Sequence, residues 1–218
     1  MYFESRTQAG QMLAGVLLEK YRYDNCAVLA TSDSSVLVAE PIAIQLHSTL
    51  SSLIIEEIEV PGQGLSFGGI SQSGNFTYNS SLSSGEVDGY VNEFHGYLEE
   101  QKREKMQRIN RMLGDGGEVD RNLLQDRTVI IVADGIDNGT LLDAALDFLK
   151  PVRINKLVVA TPLASVPAVD RIHVLADDME ILDVRDNFMG INHYYDNNEI
   201  PTHEEITQRI NQIILNWV

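Results

Sequence analysis

The residues best suited to chemistry lie between Thr128 and Lys150, in the stretch TVIIVADGIDNGTLLDAALDFLK. Asp134 leads into a polar turn made of Gly135, Ile136, Asp137, Asn138, Gly139 and Thr140. A turn of this kind, leaving a strand and feeding a helix, presents backbone N–H groups and the positive end of the helix dipole to a phosphate. Gly135 and Gly139 allow backbone conformations that bulkier residues resist. A second set of acids, Asp33, Glu56 and Glu57, falls at or beside other strands. If those strands neighbour the first, Asp33, Glu56, Glu57, Asp134 and Asp137 would converge at their carboxyl ends, an oxygen-rich setting that hard cations prefer. Against both readings stands a plainer one. Strand–turn–helix connections of doubly wound proteins carry glycine and aspartate with no ligand, and acids on an edge strand protect against aggregation.

The elements that would position these groups follow from residue pattern. Thr128 to Val132 are five consecutive β-branched residues, as in a strand covered on both faces. Leu142, Ala145, Leu146 and Leu149 recur at helical spacing, and Pro151 stops the helix. Upstream, residues 2–20 read as an amphipathic helix with Ala9, Met12, Leu13, Val16 and Leu17 on one face, capped by Ser5 or Thr7. Cys26 to Thr31 is a buried strand, Ser32 to Ser35 a turn, and the next eleven residues (VLVAEPIAIQL) a helix, provided Pro41 falls in its first turns. Leu53 to Val60 reads as a second strand, and Leu65–Ile70 with Asn75–Asn79 as a hairpin around Ser73-Gly74. Residues 80–89 read as a polar, mobile segment, Tyr90 to Leu113 as a long helix, and Gly114 to Asp120 as a flexible connection. The helix carries Lys102, Arg103, Lys105, Arg108 and Arg111 beside Glu99, Glu100 and Glu104, the pattern of a solvated face with local ion pairs. Leu157–Thr161, His173–Ala176 and Glu180–Val184 read as strands, Val166–Ile172 as a helix, Phe188–Asp196 as a loop, and Thr202–Trp217 as a closing helix boxed by Thr202 and Glu205. Strands and helices alternating in this way give an α/β fold with a mostly parallel sheet and helices on both faces.

A chain of 218 residues suits one domain, here residues 1–218, with residues 61–120 as a hairpin and long-helix insertion forming a hood. The net charge of −16 disfavours nucleic acid and anionic membrane as partners, and a polyanionic substrate would need a local basic pocket. The first residues show no basic-then-apolar leader and no run approaches a membrane span, so the expected location is cytoplasmic. A lone Cys26 cannot form an internal disulfide and reads as a small buried hydrophobe. His47, His95, His173 and His203 show no ligand spacing, and His193 sits beside Tyr194 and Tyr195.

VIIVADGIDNGT resembles the phosphoribosyl-diphosphate signature VIIVDDGIATGAT of the type I phosphoribosyltransferases. Three further blocks match a bacterial branch of that family in order. FESRTQAGQMLAGVLLEKY is similar to its F-x-[DN]-R-x-x-A-G opening, VLATSDSSVLVAEPIAIQL to VLGLPRGGVPVAxxIAxxL, and FMGINHYYDNNEIPTHEEI to F-x-A-V-G-x-W-Y-x-D-F-x-x-x-x-D-E-E-V. VPGQGLSFGGI lies at a PGxPExAIGAV loop. The resemblance implies a type I phosphoribosyltransferase fold with a small flexible hood, magnesium as cofactor if the chain is active, and a phosphorylated ribose as ligand. It implies Asp134 as the ribose-holding catalytic acid and Gly135 to Thr140 as the cradle of the 5-phosphate.

The residues that carry the family's chemistry differ here. Ala133 replaces the first of two acids, Asn138 and Leu141 replace both loop threonines, and Asp137 brings a charge into the loop. The diphosphate loop P-R-G-G becomes Ser32, Asp33, Ser34 and Ser35, and a basic pair becomes Glu56 and Glu57. Reversing one charge about 4 Å from a phosphate changes the interaction by roughly twice 4 kcal/mol at an effective dielectric near 20. Two readings follow. One is a non-catalytic binding or regulatory homologue, pairing with itself or with a related subunit. The other is an active transferase moving ribosyl 5-phosphate to a nitrogenous base, with Asp134 acting through magnesium and cations of the 102–111 helix closing as a hood.

Overall fold

The computed structural model describes residues 1–114 and 119–215. The chain divides into two compact units, one comprising Met1–Ser52, Val119–Asn138 and Val152–Val218, the other Leu53–Glu118 and Gly139–Pro151.

The first unit is a five-stranded, all-parallel sheet ordered β2-β1-β6-β7-β8, with β1 Cys26–Ala30, β2 Thr49–Ser52, β6 Thr128–Val132, β7 Lys156–Ser165 and β8 Asp178–Arg185. Every residue of β1 and β6 is buried, as their unbroken apolar runs require. Helices α1 (Arg6–Tyr21), α2 (Asp33–Leu46) and α6 (His203–Leu215) share one core with the sheet, where Leu13, Leu17, Val38 and Ile42 meet Val28, Ile130 and Val158. Strand order moves one way across α2 and the other way across α5 (Val166–Leu175), so right-handed crossovers set these helices on opposite faces. The reversal leaves a crevice beyond the carboxyl ends of β1 and β6, where open α/β sheets hold ligands.

Several expectations change in this unit. Helix α1 begins at Arg6 with Ser5 as its cap, and Phe3 instead pairs with Tyr195 in an isolated bridge. Its buried face is Ala9, Leu13, Ala14 and Leu17, while Met12 and Val16 are exposed. Pro41 lies well inside α2 rather than in its first turns. A proline there removes one helical hydrogen bond, but the helix continues because Val38, Ala39, Ile42 and Ala43 are all fully buried around it. The edge strand β2 was not expected, since its two serines mask the pattern. His173–Ala176 is not a strand but the end of α5, closed by Ala176 N–H to the Ile172 carbonyl. Ser165 caps that helix and Pro167 stands in its first turn, so the start signals override a short apolar run. Trp217 lies outside the described residues.

The second unit is an antiparallel sheet of β3 (Ile55–Val60), β4 (Leu65–Ser71) and β5 (Phe76–Tyr78), with α3 (Ser84–Leu113) and α4 (Thr140–Leu149). The expected hairpin is present, with Gly74 at a φ of 80° in its turn. The strand expected over Leu53–Val60 is therefore β3 of this separate sheet. Residues 84–89 are helix rather than loop, because Ser83 and Glu86 form a capping box that starts α3 early. Gly85 and Gly89 had obscured that signal. Residues 115–118 of the expected flexible connection lie outside the described residues. Among the described residues, no helix is long and apolar enough to cross a membrane.

Candidate functional site

Asp134 stands two residues beyond β6 at the crevice and is buried, with 5% of its surface exposed. Arg6 Nε donates to its Oδ2 at 2.7 Å, and Ser35 Oγ donates to its Oδ1 at 3.2 Å. Asp134 N–H in turn approaches Ser35 Oγ at 3.3 Å. The Tyr195 hydroxyl donates to the Asp134 carbonyl at 2.6 Å. Burial, and after it the Asp134 charge, push the Tyr195 phenol well above its ordinary range, so it remains a protonated donor.

Arg6 is itself 3% exposed. Its guanidinium lies over the Tyr195 ring, 4.5 Å from the centroid, and donates to Asn198 Oδ1 at 3.1 Å and Asn192 Oδ1 at 2.6 Å. One buried charge pair thus ties together the start of α1, the start of α2, the end of β6 and the 192–198 segment. The Asp134 carboxylate is spent inside the fold. To ligate a metal it would have to release a buried guanidinium, leaving a charge uncompensated in the interior.

The turn after Asp134 is partly committed as well. Ala133 N–H donates to the Ala160 carbonyl, and Ile136 pairs with β7 through Ile136 N–H to Leu163 O and Ser165 N–H to Ile136 O, both at 3.0 Å. Ser165 Oγ donates to the Asp137 carbonyl at 2.5 Å. Gly135 faces Ile191, so close that a Cβ would meet its side chain at 2.9 Å. Asp137 is exposed and Asn138 half-buried. The first unit ends at Asn138, and Gly139 and Thr140 open the second at the start of α4. Of the amides expected to cradle a phosphate, that of Ile136 is already used.

At the other side of the crevice, Ser32 is the cap of α2, its hydroxyl accepting from Ser35 N–H at 3.1 Å. Ser32 Oγ also meets Ser34 Oγ at 2.9 Å and Ser35 Oγ at 2.7 Å, and Thr31 joins Ser35 at 3.3 Å. Asp33 turns toward α6, where His203 Nδ1 lies 3.0 Å from each carboxylate oxygen. The family pattern has arginine at the position of Asp33 and aspartate at that of His203. Set against that pattern, the acid and the base stand in exchanged positions, and the two side chains are partners here. His203→Asp alone should therefore set two carboxylates against each other and lower stability by about 1 kcal/mol, and adding Asp33→Arg should recover it. Urea unfolding of the two variants measures this; equal losses in both would mean that the pair does not interact.

In the second unit, Lys105 Nζ and Arg108 Nε reach Glu56 at 3.0 and 3.3 Å. The basic run of α3 is thus not wholly a solvated face. Lys102 keeps the expected local pair with Glu99 at 3.0 Å and also stands 4.6 Å from the Phe76 ring centroid, but Lys105 and Arg108 cross to β3. Glu57, the next residue of β3, is half-buried. Among the described residues, no three His, Cys, Asp or Glu side chains gather as a metal site, and of the five acids expected to converge, Asp33, Asp134 and Asp137 belong to the first unit and Glu56 and Glu57 to the second. The residues present do not fit magnesium in the manner the resemblance implies.

Arg6, Asn192 and Asn198 are not singled out by the sequence reading, and Tyr195 enters it only as a neighbour of His193. The signal available was Arg6 itself, a charge on the face of α1 that carries Ala9 and Leu13. His193 accepts or donates one hydrogen bond with the Tyr2 hydroxyl at 3.0 Å and packs edge-on to Tyr2 and Tyr194.

No protein-family model matches the chain. Two Mycobacterium tuberculosis proteins, from strains H37Rv and CDC 1551, each bearing the name "Putative phosphoribosyl transferase", are 28% identical to it over 209 residues. The match takes in 94% of this chain and 45% of theirs, so the chain spans about half the length of these relatives. The crystal structure of TT1426 from Thermus thermophilus superposes with a TM-score of 0.71 at 24% identity, covering 100% of both chains. The fold shared with that structure is α/β, a parallel five-stranded sheet with helices. Within that fold, Asp134 and Ser32–Ser35 lie at the crevice of the parallel sheet, where their side chains bond to other residues of the first unit.

Proposed function

We propose that this chain is a non-catalytic binding or regulatory homologue of the phosphoribosyltransferases, its crevice closed from within. One observation carries the reading: Asp134, the remaining acid of the signature, is buried against Arg6 and Ser35. The loop beside it supports the same conclusion. Ser32 to Ser35 satisfy one another, and Asp33 presents a carboxylate bound to His203 where a diphosphate would need positive charge. Catalysis by positioning and charge stabilisation loses its means when both groups are withdrawn.

Calorimetric titration with phosphoribosyl diphosphate and magnesium tests this, with ribose 5-phosphate for comparison. The expected result is no saturable heat from the diphosphate up to millimolar concentration, about −4 kcal/mol or weaker. Micromolar binding would overturn the proposal and favour the second reading, an active transferase using altered contacts.

A further inference from the structure

β8 is the last strand of the parallel sheet, eight residues long, and among the described residues no segment pairs with its outer edge. We propose that this edge joins the same edge of a second copy, antiparallel about a two-fold axis, so that two five-stranded sheets become one. Edge strands commonly repel other strands with charge or by being short. The opposite edge is short, since β2 has only four residues. β8 instead carries three acids, and each is answered by a cation of the same unit. Asp178 accepts from the Tyr21 hydroxyl at 2.6 Å and lies 3.3 Å from Lys156 Nζ, Glu180 pairs with Lys20, and Asp183 lies 2.6 Å from Arg185 Nε. The edge is therefore close to neutral on a protein whose net charge of −16 otherwise resists self-association.

The residue order of β8 is what selects a second copy of itself. Antiparallel strands related by a two-fold axis keep their faces, so one residue must stand opposite its own counterpart. Two choices pair nearly the whole strand. With Leu182 at the axis, Asp178 of one copy meets exposed Asp186 of the other, once at each end. With Ile181 at the axis, Glu180 meets Leu182, Met179 meets Asp183, Asp178 meets Val184, and exposed Asp177 meets Arg185. No acid then faces an acid across the seam, and opposite charges meet at both ends. Centring instead on Glu180 or Asp183 sets an acid against itself. Like charges directly opposite destabilise a strand pair, so the register centred on Ile181 is favoured. The half-buried side chains of β8 then gain cover, as does Val184, which is 46% exposed.

Sedimentation velocity of the full chain, from about 1 to about 100 μM, should show a monomer–dimer equilibrium with a micromolar dissociation constant. Val184→Asp sets a new acid against Asp178 at two places and should weaken the dimer at least about tenfold. Its far-ultraviolet circular dichroism should be unchanged, because Val184 is exposed. Cysteines placed along the strand read the register. Ile181→Cys should form an intermolecular disulfide under a mild copper oxidant, since the two side chains start about 5 Å apart. Val184→Cys is the more exposed position, yet its two copies would lie about 20 Å apart and should stay unlinked. Cys26 is buried and does not compete. A monomer at every concentration, a dimer indifferent to Val184→Asp, or Val184→Cys linking as readily as Ile181→Cys would each overturn the proposal. Diphosphate binding in the crevice would overturn the closed-site reading and leave this one standing, because the two are read at different residues.

Discussion

Asp134→Ala should unfold the first unit at markedly lower denaturant, by about 3–5 kcal/mol. The replacement removes the partner of a guanidinium that is 3% exposed and cannot reach water without displacing Tyr195, Asn192 and Asn198. Asp134→Asn should lose nearly as much, because the charge on Arg6 stays uncompensated although the shape is kept. Pairing Asp134→Leu with Arg6→Met should recover most of the loss, since a buried ion pair exchanged for apolar groups of similar size is often neutral or better. Urea unfolding of the variants separates the alternatives. A catalytic acid on a solvated loop would give Asp134→Ala a loss near zero and the double replacement no rescue. The result bears directly on function, because a carboxylate on which this much stability rests is held as a structural charge.

Gly10→Ala should cost about 3 kcal/mol, the upper part of the range for an overfilled core. A Cβ at Gly10 would stand 2.4 Å from the Val38 carbonyl oxygen, a backbone atom that no rotamer change can move. To accept it, α1 and α2 would have to part, and with them the two helix starts that bring Arg6 and Ser35 to Asp134. Gly15→Ala on the same helix is the control: nothing lies within 4 Å of its Cβ position, and better helix propensity should raise stability by roughly 0.5–1 kcal/mol. Thermal melting of both variants measures the contrast. Equal effects would mean that the close approach of α1 and α2 yields at little cost.

Residue order alone determined the parallel sheet, and for a physical reason. The runs at Cys26–Ala30 and Thr128–Val132 are apolar on both faces, and such strands are stable only inside a doubly covered sheet. The hairpin at Ser73-Gly74 and the Thr202–Glu205 box were legible for the same reason, since each depends on neighbours a few residues apart, and the cap of α1 was narrowed to Ser5 or Thr7, of which the structure uses Ser5. Motif order also placed Asp134 and Ser32–Ser35 at one crevice, because strand ends in such a sheet follow from topology.

Only the tertiary structure decided what those side chains do. Arg6 reaches Asp134 across 128 residues, His203 reaches Asp33 across 170, and Lys105 reaches Glu56 across 49. A charge in a sequence is equally able to face solvent, a ligand or a distant opposite charge, and local pattern cannot tell these apart. The choice is made by which helix ends the core brings together, and that depends on packing such as Gly10 against Val38. The sequence therefore shows an acid at Asp33, while the fold shows that acid already paired with His203.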